Sequence, residues 1–219
     1  MIITINKEIT DIIPAFTIIA MKMDVEVEDS EKISEMITIY EEKIKGEYSL
    51  EDVLNIPLIK EARDGYKKLG KDPSRYRLAC ESLLRRLVKG NSLYRINNVV
   101  DAGNLLSIEA KRSVAVLDYE KIKGDITIRI GKETDEYYGI GRGLLNVSNV
   151  PVYEDDIGPF GSTTSDTERT MVTKETKKIL LMIICFGPSM HEENKQFAID
   201  IYQKYASAKN IEDIIITRK

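Results

Sequence analysis

Residues 158–170, "GPFGSTTSDTERT", gather more chemistry than any other short stretch of this chain. Gly158 and Gly161 allow close backbone approach or a positive φ, and Ser162, Thr163, Thr164 and Ser165 offer hydroxyl donors and acceptors. Asp166, Glu168 and Arg169 add charges of both signs, able to pair with one another or with a zwitterion such as a free amino acid. A plain turn is shorter and less varied. The run is therefore either a long connection held by its own hydrogen bonds, with Asp166 paired to Arg169, or the wall of a ligand pocket. Composition alone puts the connection slightly ahead.

Other chemistry-bearing residues are sparse. His191 is the only histidine and follows "GPSM" at a helix start, a capping position. With no second histidine or thiol near it in sequence, Ser-His-Asp, Cys-His and histidine-zinc constellations are excluded. Cys80 and Cys185 lie in apolar sequence far apart and read as buried free thiols. No metal or cofactor is expected. "GIGRG" at 139–143 has neither the dinucleotide spacing nor a following helix, and reads as a hairpin turn.

The chain is net −4, but its charge is uneven. Between Lys60 and Arg95 eleven basic residues stand against four acidic ones. Lys67, Lys68, Lys71, Arg75, Arg85 and Arg86 are the candidates to track a phosphate backbone, the alternative being a solvated face.

These residues need a scaffold. "IITI" and "FTIIAMKMDVEV" read as strands. A helix follows, with Ser30 as N-cap and Ile33, Met36, Ile37, Tyr40 and Ile44 as its apolar stripe. A second helix covers roughly 56–69, ended by Gly70 and Pro73. The third buries Tyr76, Cys80, Leu83, Leu84, Leu87 and Val88 and turns its basic residues outward, and "YRINNVVDAGNLLSIEAK" forms a fourth. The period then changes to two. "VAVLDYEKI", "DITIRIG", "LLNVSNVPVYED", "ILLMIICF" and "DIIITRK" read as strands, interrupted by a helix over about 191–208 that faces Phe197, Ile201, Tyr205 and Ala208 inward. Helices followed by hairpin-linked strands make an α+β fold with mostly antiparallel sheets flanked by helices.

Bulk properties fit one domain. The 219 residues are 42 % hydrophobic and 7 % aromatic, enough for a sizeable core. The apolar runs are too short to span a bilayer, and the N-terminus lacks signal-peptide features, so a cytoplasmic protein without membrane contact is expected.

"INNVVDAGNLLSIE", "VAVLDYEKIKGDITIRIG" and "GPFGSTTSDTERTMVTKETKKILLMIICFGP" together resemble the tRNA-binding and editing module formed by the third and fourth domains, B3/B4, of the phenylalanyl-tRNA synthetase beta subunit. They resemble still more the small free-standing proteins built from that module alone. The resemblance covers roughly residues 60 to 190. Its most specific part is the pairing of "VVDAGN", with Asp101 and Asn104, and the "GPFGSTTSD" run. It implies a single B3/B4-like domain over 1–219, with 1–59 as a strand-helix arm packed on it. It also implies a pocket between residues 158–170 and the helix of Asp101 and Asn104, with tRNA or aminoacyl-tRNA as partner.

The carry-over is partial. The family's glycine-rich loop matches Gly158 to Ser162, and its threonine segment matches Thr173 and Thr176. Its histidine falls near Ala115, and the glutamate that recognises the tyrosine hydroxyl falls on or near Met182. Specificity for tyrosine therefore does not transfer. An aminoacyl ester is activated, so hydrolysis is still expected to be feasible if Asp166 or Glu168 holds a water and the amides of Gly161 and Ser162 face the oxyanion. The competing expectation is the same pocket without chemistry, binding tRNA or a free amino acid.

Overall fold

The computed structural model describes residues 1–219. In chain order the elements are β1 (Ile2–Ile5), α1 (Lys7–Ile12), β2 (Thr17–Asp24), α2 (Glu31–Glu47), α3 (Leu50–Asn55), α4 (Pro57–Lys68), α5 (Ala79–Val88), α6 (Asn98–Ala110), β3 (Val114–Asp118), β4 (Ile126–Ile130), β5 (Tyr138–Gly139), β6 (Gly143–Leu144), β7 (Pro151–Asp155), β8 (Gly158–Ser162), β9 (Lys178–Cys185), α7 (His191–Ala206), β10 (Lys209–Asp213) and β11 (Ile215–Arg218). The α+β class and the mostly antiparallel pairing are as the sequence indicates.

Two sheets carry the molecule. One is antiparallel in the order β10-β2-β9-β3, and the other runs β11-β1-β4-β7-β8, with β1 parallel to both neighbours. β9 explains the first. Its residues from Ile179 to Cys185 are all buried, the unbroken apolar run of a strand covered on both faces.

The first 59 residues are not an arm laid over a finished body. β1 lies between β11 and β4, and β2 between β10 and β9, so both sheets are closed through N-terminal strands. Local patterning gives a strand but not its neighbours, and the partners here lie more than a hundred residues away.

α6 is the central helix. It packs against α2, α5, α7 and β3, which is why nearly its whole surface is buried and no single apolar stripe stands out. Asn97 caps it through a bond from the Val100 amide at 2.9 Å. Gly103 is required where β3 crosses it, because a Cβ there would collide with Val116.

Ser30 sits at the start of α2 but makes no side-chain cap; its hydroxyl donates to Asp101 on α6. On α7 the buried aromatic is Tyr202, whose hydroxyl donates to the Val99 carbonyl at 3.0 Å, while Tyr205 is half-buried. No helix is long and apolar enough to cross a membrane.

Candidate functional site

The stretch 158–170 divides into three parts. Gly158–Ser162 is not a loop but strand β8, paired to β7. Residues 163–167 form a connection, and 168–170 a single 3-10 turn.

The connection is stapled to three elements. The Thr163 carbonyl accepts from the Ala79 amide at 3.0 Å and from Ser113 Oγ at 3.1 Å, and the Tyr66 hydroxyl bonds Thr163 Oγ1 at 2.5 Å and Thr164 Oγ1 at 3.1 Å. Those contacts fix Thr164 and Ser165 beside the first turn of α5. There a cleft of about 750 Å³ opens between α5, the 93–96 segment, α6, the start of β3 and the tip of the β5–β6 hairpin.

The cleft brings together Asn104, Thr164, Ser165 and Arg86, four of the sequence candidates. It also contains residues the sequence did not single out as ligand contacts: Ser82, Tyr94, Ser107 and Arg142. "GIGRG" is a hairpin turn as expected, yet its tip carries Ile140, Gly141 and Arg142 into the cleft. Arg86 donates from Nε to the Ser92 carbonyl at 2.6 Å and lies 4.1 Å above the Tyr94 ring.

Other candidates lie elsewhere. Asp101 is buried and accepts from Ser30 and, at 3.2 Å, from the Ile96 amide, so it holds the 93–96 segment rather than a ligand. Burial raises its pKa. Gly161 is buried opposite Tyr153, whose ring leaves no room for a Cβ, and Ser162 Oγ closes a local turn with Ser165. Thr163 is fully enclosed. None of these faces the cleft.

Asp166 is turned inward. Its Oδ1 is buried without a partner, 2.9 Å from where a Gly161 Cβ would stand, although the residue as a whole is partly exposed. Enclosure pushes its pKa up to about 7, with the Ser162 amide pulling the other way. Tyr137 and Tyr153 share this enclosure. Glu168 is exposed outside the cleft.

The Asp166–Arg169 pair that the connection reading requires does not form. Arg169 instead grips Asp155 with both terminal nitrogens, at 3.0 and 2.8 Å, and also donates to the Gly158 carbonyl at 3.2 Å.

The basic face is likewise divided. Lys68 and Arg75 are exposed, Arg85 is half-buried, and none of the three forms an ion pair, whereas Lys67 pairs with Asp64 at 3.1 Å. Lys71 is not available at all. It is buried, donates to the Asn146 carbonyl at 3.1 Å and Oδ1 at 3.0 Å, and stands 3.8 Å from the centre of the Tyr76 ring.

Thr173 and Thr176 form a structural corner: Thr176 Oγ1 receives the Thr173 amide at 2.9 Å and donates to Asp118 at 2.7 Å. Ala115 and Met182 are cross-strand neighbours in the four-stranded sheet, both buried and neither in the cleft.

Chemically, the cleft offers hydroxyls, one carboxamide, two guanidiniums and apolar walls. It holds no carboxylate, imidazole or thiol. Such a lining recognises and orients a ligand but supplies no side-chain general base.

Comparison with known proteins places this architecture. The B3/4 domain family matches residues 61–215. The phenylalanine–tRNA ligase beta subunit of Fusobacterium nucleatum subsp. nucleatum is 24 % identical over 133 residues, which are 59 % of this chain and 16 % of that subunit. An N-terminal fragment of the phenylalanyl-tRNA synthetase beta subunit from Pyrococcus horikoshii shares the fold at a TM-score of 0.56 and 14 % identity, over 100 % of this chain and 52 % of the fragment. This chain therefore spans only part of the proteins it matches, while the fold likeness takes in its first 59 residues, which sequence alone left without a counterpart. By its sequence match over most of its length, the chain belongs to the B3/4 domain family.

Proposed function

We propose that this protein binds the acceptor end of a tRNA in the cleft between α5, α6 and the 163–165 connection, and that it hydrolyses no aminoacyl ester. The observation that carries this reading is the lining: two arginines, hydroxyls and an amide over apolar walls, with no group to activate water. The family match and the beta-subunit relative support tRNA as the class of partner. Lys68 on α4, Arg85 on α5 and Arg75 in the turn between them, all free of ion pairs, would extend the contact along the phosphate backbone. A cytoplasmic location goes with this partner and is part of the proposal.

Trans-acting hydrolysis of a misacylated tRNA is the alternative that the resemblance implies. Its two carboxylate candidates, Asp166 and Glu168, lie outside the cleft. One experiment separates the readings: the protein is titrated against fluorescent tRNA, and ester loss is followed on a panel of correctly and incorrectly charged tRNAs. Binding weakened by Asn104→Ala, with ester loss at the spontaneous rate, is the expected result. Enzyme-dependent ester loss from any one species would replace it with the hydrolytic reading.

A further inference from the structure

Accepting the cleft as a ligand site, we infer that its occupant is an organic anion that carries no ammonium group. Its carboxylate or phosphate is held by Arg86 and Arg142, and its apolar or planar body lies against Leu83, Tyr94, Ile96 and Ile140.

Charge is the first argument. The chain has 36 acidic residues against 32 basic ones, yet none of the acidic residues lines this cleft. The two charges that do are guanidiniums from separate elements, Arg86 on α5 and Arg142 on the hairpin tip. Neither forms an ion pair. Arg86 spends only Nε, on the Ser92 carbonyl, so its two terminal nitrogens have no protein acceptor, and the Arg142 side chain makes no hydrogen bond at all. Half-buried Arg86 and exposed Arg142 thus bring two guanidiniums without protein acceptors to one cleft, where an anion can bridge them, and Arg matches the paired oxygens of carboxylate and phosphate.

An ammonium fares differently. It would meet two like charges and no carboxylate, so the free amino acid expected from Asp166, Glu168 and Arg169 has no seat here; those three charges are turned into the fold or away from the cleft. The body of the ligand is indicated by the rim. Tyr94, Ile96 and Ile140 are 69 %, 58 % and 42 % exposed, apolar surface gathered at the mouth of a charged cleft. Arg86 covers part of the Tyr94 ring and presents a flat guanidinium platform suited to stacking.

The test is calorimetric titration of the intact protein with AMP, adenosine, N-acetylphenylalanine, phenylalanine and inorganic phosphate. AMP or N-acetylphenylalanine is expected to bind, with adenosine and phenylalanine weaker by about tenfold or more. AMP alone identifies a phosphate source, and N-acetylphenylalanine alone a carboxylate. Arg142→Gln, whose parent side chain is exposed and makes no hydrogen bond or ion pair within the protein, should reduce that binding about tenfold with an unchanged melting temperature. Phenylalanine binding as tightly as its N-acetyl form, inorganic phosphate matching AMP, or indifference to Arg142→Gln and to the double variant with Arg86→Gln would overturn the inference. If no probe binds but tRNA does, the inference fails and the cleft reading stands; if tRNA also fails to bind, both fall.

Discussion

Ala115 on β3 and Met182 on β9 stand directly opposite each other in register, both out of contact with solvent. Side chains alternate along a strand, and the residues flanking Ala115 are Val114, which lines the cleft, and Val116, which packs on α6 at Gly103. Ala115 and Met182 thus point to the far side of the sheet. Ala115 and Met182, near which the resemblance places a histidine and a glutamate, do not face the cleft in this chain.

Restoring the family's residues should therefore damage the fold without creating activity. Met182→Glu buries an ionisable group among apolar neighbours and should cost at least about 3 kcal/mol, and Ala115→His should cost about 1–3 kcal/mol by overpacking. Urea unfolding measures both costs. A double variant that folded normally and cleaved a charged tRNA would contradict this geometry.

Asp166 should make stability fall as pH rises. Its folded pKa is about 7 against an ordinary 3.8, so the folded state holds a proton that the unfolded chain releases. The associated stability is fully present below about pH 4 and is lost progressively up to about pH 7, amounting to a few kcal/mol at most. Asp166→Asn keeps the shape and removes the titration. Denaturation midpoints of the two proteins, compared between pH 4.5 and 7.5, should diverge with the wild type declining more steeply.

Asp155, nearby in the same sheet region, should act with the opposite sign. Burial alone would raise its pKa, but the Arg169 guanidinium and the amides of Lys123 and Ile157 more than offset that and hold it below the ordinary value. Its contribution is present above the unfolded value and is lost as pH falls through the folded one. Arg169→Ala leaves this enclosed carboxylate without its partner and should cost about 3–5 kcal/mol near neutral pH, read by thermal or urea unfolding. A loss below about 1 kcal/mol would mean the pair behaves as an exposed one.

Lysines in the basic segment should separate into two kinds. Lys68→Gln and Arg75→Gln should each lower the slope of log affinity for tRNA against log salt by about 0.7–0.9, with little change in stability. Lys71→Met should do the reverse: stability falls by about 1–3 kcal/mol because the Asn146 acceptors lose their donor, and the salt slope is unchanged. Equal salt slopes for all three variants would show that exposure does not govern the contact.

What the sequence made legible follows from physical range. α2 and α5 could be read because their apolar positions recur at helical spacing, and β9 because an unbroken apolar run of eight fits a covered strand. α5 starts at Ala79 rather than Tyr76 because "KDPSRY" folds into a turn closed by the Tyr76 amide on the Asp72 carbonyl. α1 and α3 are single short helices whose caps, Asn6 and the Ser49–Asp52 box, are legible only once looked for. At the site, Thr164 and Ser165 were found from the hydroxyl-rich composition of 158–170, and Asn104 through the family resemblance carried by "VVDAGN". Arg142 was missed because a hairpin turn and a cleft wall look alike until the tip is placed in space. Asp166 was misplaced because composition gives no direction for a side chain.

The interleaving of the chain ends has a kinetic consequence. β1 pairs with β11 and β4, and β2 with β10 and β9, so the first twenty-four residues cannot settle into either sheet until strands beyond residue 125 exist. High contact order of this kind slows folding, and on a ribosome it leaves β1 waiting as an apolar segment until β4 has been made, and β2 until β9 has. The family match begins at residue 61, after both strands. A fragment cut to that match would lack β1, β2 and nearly all of β11 and would expose the edges of β4, β9 and β10 together, three open templates for pairing with another chain, and it should aggregate rather than fold.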